Sequence, residues 1–190
     1  MKKLISLALF IVVSLTFTTC KNAGNHAPSA KIYYDYLVSL GEIETESSST
    51  TGGDFERWDV YKLYYFLDDF NLDGILDLAI SNEKVDSNGI VIYSYENGQV
   101  KKLFSKGMPY SAGTEIFTLA KYNNAYGIKY HRSNSVGDFT FFSINKDATI
   151  EEVFSGRLYD IDGNALDTST SYDKMDTVTF YSIEELKKMF

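Results

Sequence analysis

The chain has few of the residues on which many familiar sites are built, with one Cys, two His and two Pro among 190 residues. A single cysteine excludes an internal disulfide and a zinc site made of several thiolates. Cations are also in the minority, since 18 Lys and Arg stand against 26 Asp and Glu, for a net charge of −8. Such a surface argues against nucleic acid as a partner.

The common catalytic signatures are missing as well. The sequence contains no Gly-x-Ser-x-Gly elbow, no His-Glu-x-x-His and no phosphate-binding loop, and we therefore predict that the protein is not an enzyme. One alternative stays open. A glycan-acting hydrolase needs only two carboxylates, and their separation in the fold cannot be read from spacing in the sequence.

Long apolar runs are confined to the N-terminus. The basic start Met1-Lys2-Lys3 is followed by an apolar stretch from Leu4 to Phe17, which is too short to span a bilayer comfortably. This layout predicts a signal peptide over residues 1–19 and an exported protein. We find no second run of membrane-spanning length.

The only cysteine stands directly after this leader, in Phe17-Thr18-Thr19-Cys20. The arrangement resembles the lipobox of bacterial lipoproteins, although Phe17 and Thr19 depart from its usual residues. The resemblance implies a lipid on Cys20 that anchors the protein to a bacterial membrane, at the cell surface or the periplasmic face. An ordinary secretory signal with an incidental cysteine is the alternative.

Small and polar residues over 20–27 indicate a tether between the lipid and one globular domain at 28–190. Beyond Pro28, apolar residues recur at helical spacing from Ile32 to Leu40, with Ser29 as N-cap and Gly41 as a stop, which predicts an amphipathic helix. Residues 44–54 are rich in Ser, Thr and Gly, and we expect a mobile loop there.

From Trp58 the apolar period changes to two, which predicts strands. We place them near 60–67, 76–81, 89–95, 99–105, 115–122, 126–132, 138–144 and 149–157. Asn97-Gly98 is a strong two-residue hairpin signal, and Asn123-Asn124 and Asn145-Lys146-Asp147 indicate further hairpin tips. Consecutive hairpins of this kind predict an antiparallel meander.

The C-terminus has a helix signature. Ser182 and Glu185 match a capping box, and an apolar stripe follows, so we expect a short closing helix. The predicted fold class is therefore α+β, an antiparallel β-meander of about seven or eight strands with an N-terminal amphipathic helix and a short C-terminal helix.

One segment carries recognisable metal chemistry. Residues 69–77 read D-x-N-x-D-G-x-x-D, which places oxygen donors at alternate positions and a glycine where a sharp turn is needed. Asp69, Asn71 and Asp73 are predicted side-chain ligands, Ile75 a backbone-carbonyl ligand, and Asp77 the last carboxylate. Hard oxygen donors of this charge suit calcium, whereas zinc or copper would favour histidine or thiolate.

An EF-hand would also require a glutamate at the twelfth position, which is Ile80 on a predicted strand. The flanks favour a strand-loop-strand arrangement. In this respect the segment resembles the calcium loops of integrin-type and related bacterial β-repeat proteins. More broadly, the order of elements from Tyr61 to Phe104 is similar to that of many exported bacterial lipoproteins of unknown function. These resemblances imply a fold and a compartment, and no activity.

A second acidic cluster contains Asp160, Asp162 and Gly163, but its glycine is out of register for a calcium loop. We interpret it as a hairpin turn, with a second ion site as the alternative. Asp68, next to the first loop, is left undecided between a ligand and a solvent-facing residue. We expect a calcium-stabilised surface module that binds a protein or glycan partner or has a structural role, and the Gly107 to Gly113 loop is a candidate contact.

Overall fold

The computed structural model describes residues 23–45, 56–84, 89–106, 115–132 and 136–190. Its helices are α1 (Ala23–Leu40), α2 (Ser169–Asp173) and α3 (Ile183–Lys187), with a short 3-10 helix at Val60–Lys62. The strands are β1 (Glu42–Thr45), β2 (Glu56–Asp59), β3 (Tyr64–Asp68), β4 (Asp77–Ser81), β5 (Ile90–Glu96), β6 (Gln99–Lys106), β7 (Glu115–Tyr122), β8 (Ala125–Arg132), β9 (Asp138–Ile144), β10 (Ile150–Arg157), β11 (Asp176–Thr177) and β12 (Tyr181–Ser182).

The fold is mostly antiparallel β-sheet with few helices, as the α+β prediction requires in outline. The predicted single meander of seven or eight strands needs correction, because the described residues form twelve strands in three sheets. The first sheet has the order β12-β3-β4-β5-β6, the second sheet has the order β10-β9-β8-β7-β11, and β1 pairs with β2 in a separate ribbon. Each of these pairings is antiparallel.

Three apolar layers explain why the chain divides into two stacked sheets. Between them lies a shared layer that includes Ile92 of the first sheet and Leu119 and Ile128 of the second. The outer face of the first sheet packs on α1 and α3, and the outer face of the second carries a smaller apolar cluster. A single sheet of the same strands would leave much of this surface in water.

Strands β4 and β5 lie at the centre of this stack. All five residues of β4 are buried, as are the first five of β5. Both faces of these strands are covered, so their apolar residues run almost continuously. Because of this central position, the side chain of Asp77, the first residue of β4, is buried.

Helix α1 begins earlier than the sequence pattern predicted. It starts at Ala23, so it includes part of the predicted tether 20–27, and the predicted N-cap Ser29 lies inside it. Pro28 removes one backbone donor from its early turns. The helix ends at Leu40, and the following Gly41 has a φ of 70° and donates from its N–H to the Leu37 carbonyl at 3.2 Å.

The predicted mobile loop 44–54 also needs a correction at its start. Glu44 and Thr45 belong to β1, where they pair with Arg57 and Glu56 of β2, and Thr45 is fully buried. The pairing is stabilised by Ile43 and Trp58, which lie opposite each other in the layer under α1. The rest of the predicted loop, 46–54, lies outside the described residues.

Two of the predicted hairpin tips have the backbone expected of two-residue turns. Asn97 and Gly98 have φ values of 50° and 83°, and Asn123 and Asn124 have values of 49° and 66°. Paired left-handed residues match the right-handed twist of the flanking strands. At the C-terminus, the Glu185 carboxylate accepts from the Ser182 N–H at 3.1 Å, as in a capping box.

Candidate metal-binding loop

The predicted ligand residues lie in the connection between β3 and β4, which are neighbours in the first sheet. Asp68 and Asp77 are directly opposite each other in the register. The chain between them therefore leaves and returns at one edge of the sheet, in a strand-loop-strand arrangement. Leu72 and Gly74 have left-handed φ values of 59° and 91°, and these two residues make the sharp part of the turn.

Asp69 organises the turn through both of its carboxylate oxygens. Oδ1 accepts from the Asp73 N–H at 3.0 Å, and Oδ2 accepts from the Gly74 N–H at 2.9 Å. Charged acceptors make stronger hydrogen bonds than neutral ones. Asp69, at the first position of the predicted calcium loop, thus holds the backbone of Asp73 and Gly74 close to its carboxylate.

Asn71 and Asp73 contact each other within the loop. Asn71 is 3% exposed, its Oδ1 accepts from the Asp73 N–H at 3.1 Å, and its Nδ2 donates to Asp73 Oδ2 at 3.3 Å. Asp73 Oδ1 accepts from the Ile75 N–H at 2.7 Å. Asn71 is buried even though it belongs to a polar loop, so its amide is fixed in place.

Asp77 is the most unusual member of the set, because its side chain is fully buried. Oδ2 accepts from the N–H groups of Phe70 at 3.0 Å and Asn71 at 3.4 Å. Oδ1 is buried and has no hydrogen-bond partner among the described residues. A buried acceptor without a partner is costly, and a buried charge more so.

The pKa of Asp77 is raised to about 6, chiefly because burial disfavours the charged carboxylate. The negative charge of Asp73 raises this pKa further, whereas the backbone N–H bonds lower it. The Ser94 hydroxyl also lowers it, although its Oγ lies outside hydrogen-bonding geometry and is itself buried without a partner. The effects that raise the Asp77 pKa exceed those that lower it, so the charged carboxylate lacks a compensating positive charge.

The loop is anchored in the layer between the two sheets. Phe70 is buried there, with its ring centre 6.1 Å from that of Phe66 and 5.4 Å from that of Tyr126. The Tyr126 hydroxyl, from β8 in the second sheet, donates to Asp68 Oδ2 at 2.7 Å. The sequence had not indicated Tyr126, since a tyrosine in an alternating strand carries no signal of this partner.

That contact also clarifies the position of Asp68, which the sequence left undecided. Its second oxygen, Oδ1, accepts from the Asp69 N–H at 2.9 Å. Both oxygens are therefore engaged, one with the loop and one with the second sheet. On the other side, the Tyr33 hydroxyl of α1 donates to the Leu76 carbonyl at 2.8 Å.

The second acidic cluster has a different environment. Asp160 Oδ1 accepts from the N–H groups of Asp162 at 2.9 Å and Asn164 at 2.8 Å, and its Oδ2 accepts from Asn164 Nδ2 at 2.9 Å. Gly163 has a φ of 83°, and the bridge between Tyr159 and Ala165 closes the turn. Hydrogen bonds to the charged form lower the pKa of Asp160, with Asn164 the main cause.

Within the described ranges, no three His, Cys, Asp or Glu side chains form a group that could hold a metal by themselves. A site in loop 69–77 would therefore also use the Asn71 amide and the Ile75 carbonyl, as the spacing predicts. Cys20 and the Gly107 to Gly113 loop lie outside the described residues. No helix in the described part of the chain has the length and apolar character needed to cross a membrane.

A carboxylate-lined cavity bears on the hydrolase alternative. An open cavity of about 490 Å³ lies beside the β1-β2 ribbon, with Glu42, Glu44 and Arg57 among its lining residues. Glu44 Oε1 is 3.3 Å from Arg57 Nη2. The hydrolase alternative would have to use Glu42 and Glu44 as its acid and base in this cavity, with Arg57 beside Glu44.

Comparisons of the chain with protein-family models, with curated proteins and with solved structures found no match.

Proposed function

We propose that this chain is an exported lipoprotein, anchored by a lipid on Cys20, whose domain is a calcium-stabilised and non-catalytic module. Residues 1–19 are the signal peptide and 20–27 begin the link to the domain. The module has a binding or structural role at a bacterial cell surface or the periplasmic face of a membrane. A protein or a glycan is the class of partner, and nucleic acid is not.

The observation that carries the calcium proposal is the buried carboxylate of Asp77, whose Oδ1 has no hydrogen-bond partner among the described residues. An anion in this position needs a compensating positive charge. The loop supplies no cationic side chain, since its residues 69–77 contain neither Lys nor Arg. A bound cation is the simplest source of that charge.

The donors fit a hard divalent cation. Asp69, Asn71, Asp73 and Asp77 offer side-chain oxygens and Ile75 offers its carbonyl, and each carboxylate oxygen has lone pairs beyond those used by the backbone N–H groups. A bound Ca²⁺ would supply charge neutralisation and no reaction step. The Asp69 and Asp73 hydrogen bonds hold the turn in shape. Binding would still have to bring the carboxylates of Asp69, Asp73 and Asp77 together, because among the described residues they do not form a metal-holding group.

The test is calcium binding by titration calorimetry, with thermal unfolding in EDTA and in millimolar calcium. Extracellular calcium modules bind at about 10⁻⁴ to 10⁻³ M. A tenfold excess over the dissociation constant would stabilise the fold by about 1.4 kcal/mol, which raises the Tm by about 3 to 6 °C for a domain of this size.

Asp73→Ala should abolish this shift, and Asp162→Ala in the second cluster is the matched control that should retain it. An unchanged Tm in EDTA, together with no heat of binding, would show that loop 69–77 is only an acidic turn.

The anchor is tested separately with the full-length gene in a bacterial host. The wild-type protein should enter the membrane fraction and incorporate labelled fatty acid, whereas Cys20→Ser should do neither. Equal partitioning of both forms to the soluble fraction would refute the lipid anchor and leave the calcium proposal untouched.

A further inference from the structure

A second candidate site lies on the outer face of the second sheet and shares no residue with loop 69–77. A cavity of about 270 Å³ opens there between β7, β8, β11 and α2. Its lining residues combine one cation, one imidazole, two hydroxyls and two apolar surfaces: Lys129, His131, Thr118, Thr177, Ile116 and Tyr172. Pockets for drug-sized ligands begin at about 300 Å³, so this one suits a smaller molecule.

The cation is the unusual feature of the cavity. Lys129 is only 9% exposed although it is a lysine on a strand of an acidic protein. Lysine is rarely buried to this degree without a specific reason. Its Nζ lies 3.7 Å from the centre of the Tyr172 ring, which is within the range of a cation–π interaction. The ring fixes the position of the ammonium group at the cavity wall.

The sheet register places hydroxyl donors beside this ammonium group. Thr118 is directly opposite Lys129 in the pairing of β7 with β8. Thr177 of β11 pairs with Ala120 of β7. Ala120 is two residues from Thr118 and lies on the same face of β7. Both threonines line the cavity. The Thr118 hydroxyl donates to the Leu119 carbonyl at 3.4 Å, so Lys129 and Thr177 are the two side chains here that can donate to one anionic group.

His131 extends the polar side of the cavity. It is two residues from Lys129 on the same face of β8, with its ring centre 5.4 Å from that of Tyr172. Burial, and then the charge of Lys129, lower the pKa of His131. A neutral imidazole has one N–H donor and one acceptor, so this side chain adds hydrogen bonding without adding a second cation.

The rest of this outer face is filled in a different way. Phe139, Phe141 and Met175 form a closed apolar cluster there, with Phe154 packed against it. Lys129 and His131 of β8 pair directly with Phe141 and Phe139 of β9, so the polar side chains and the cavity border this cluster. Ile116 and the Tyr172 ring retain an apolar surface beside the polar groups. A polar wall facing an apolar one fits a ligand with one charged and one apolar part.

We infer that this cavity binds a small organic carboxylate. The carboxylate would accept hydrogen bonds from Lys129 and the Thr177 hydroxyl, while the apolar part of the ligand would lie against Ile116 and Tyr172. The net charge of −8 opposes the approach of anions from solution. The pocket would therefore select for a ligand that also gains from apolar contact.

Titration calorimetry with sodium benzoate tests this inference, with benzyl alcohol as a neutral ligand of similar size and inorganic phosphate as a purely polar anion. We expect one benzoate per chain with millimolar affinity and at least tenfold weaker binding of the other two. Lys129→Met, which keeps the apolar stem, should weaken benzoate binding at least tenfold. Thr177→Val should weaken it several-fold.

Lys101→Met is the matched control, since Lys101 is a surface lysine of the first sheet, paired with Glu96, and it should bind benzoate like the wild type. Absence of benzoate binding at 10 mM (a concentration of about tenfold excess over the expected range) would overturn the inference. Equal binding of benzoate and benzyl alcohol, tighter binding of phosphate, or undiminished binding by a folded Lys129→Met variant would overturn it too.

Discussion

Two acidic turns in this molecule share their local chemistry and differ in their surroundings. In each, an aspartate accepts from backbone N–H groups, Asp69 in loop 69–77 and Asp160 in turn 160–164. In each, a glycine adopts a left-handed φ, 91° at Gly74 and 83° at Gly163. The first turn begins and ends on central strands of a sheet, whereas the second lies at the surface.

The difference appears in the direction of two pKa shifts. Burial raises the pKa of Asp77 to about 6, and hydrogen bonds from Asn164 lower the pKa of the exposed Asp160. The first carboxylate is destabilised in its charged form and the second is stabilised. Burial of the flanking strand, more than the number of aspartates, therefore distinguishes the two turns, and this difference supports our proposal that loop 69–77 binds calcium.

The largest expected effect is the dependence of stability on pH that Asp77 contributes. The folded-state pKa of Asp77 is about 6, above the value of about 3.9 in an unfolded chain. Between these two pH values the folded state holds more protons, so metal-free stability should fall as pH rises through this window. A shift of about two units corresponds to about 3 kcal/mol.

The measurement is urea denaturation in EDTA at several pH values for the wild type and Asp77→Asn. Their difference should be small near pH 4, where both carry a neutral group, and should grow to a plateau above pH 7. Asp160→Asn should differ from the wild type in the opposite sense, since a lowered pKa stabilises the fold above that pKa and this contribution is lost in acid. A constant difference between wild type and Asp77→Asn across the range would contradict the prediction.

A second effect concerns the amide variant at fixed pH. At pH 7.5 in EDTA, the free energy of unfolding of Asp77→Asn should exceed that of the wild type by about 1 to 3 kcal/mol, seen as unfolding at higher urea. The reason is that the substitution removes a buried charge and keeps an acceptor for the Phe70 N–H. The same variant should lose the stabilisation by calcium. Asp162→Asn serves as the control, and we expect no change in either property. A loss of metal-free stability in Asp77→Asn would mean that the charge itself is required.

We expect the smallest effect from alanine substitutions of Gly74 and Gly163, one in each acidic turn. An added Cβ meets no atom within 4 Å at Gly74 or at Gly163, so Gly→Ala at either position introduces the left-handed backbone penalty alone, about 1 to 2 kcal/mol. The two variants should lose similar stability in EDTA. In calcium, only Gly74→Ala should also show a reduced Tm shift. An equal calcium-induced Tm shift in both variants would show that calcium binding does not depend on the backbone conformation at Gly74.

Much of the strand pattern was readable in the sequence, because a period of two and the Asn-Gly and Asn-Asn pairs are local signals. The division into three sheets was not. Nothing in the alternation of β6 or β7 indicates that the chain passes from one sheet to the other between them. Residues 42–45 carry two charges in four positions, and only their pairing with β2 makes them a strand.

For the candidate sites, the sequence predicted the spacing of loop 69–77 but not its burial. The buried state of Asp77 depends on the pairing of β4 with β5 and on the layer between the two sheets, which are long-range contacts. Lys129, His131 and Tyr172 were missed because they come from separate elements and form no motif. The place of His131 in a cavity depends on α2, more than thirty positions along the chain.

The hydrogen bond from Tyr126 to Asp68 links the start of loop 69–77 to the second sheet, so the loop helps to hold the two sheets together. Asp68 precedes the loop in the first sheet, Tyr126 belongs to the second, and Phe70 lies in the interior they share. Fraying of this one turn would expose the inter-sheet layer, so the turn and both sheets should exchange their amide hydrogens as one cooperative unit. Proteases cleave transiently opened chains, so the stability of this link between the sheets would set how long the domain resists proteolysis.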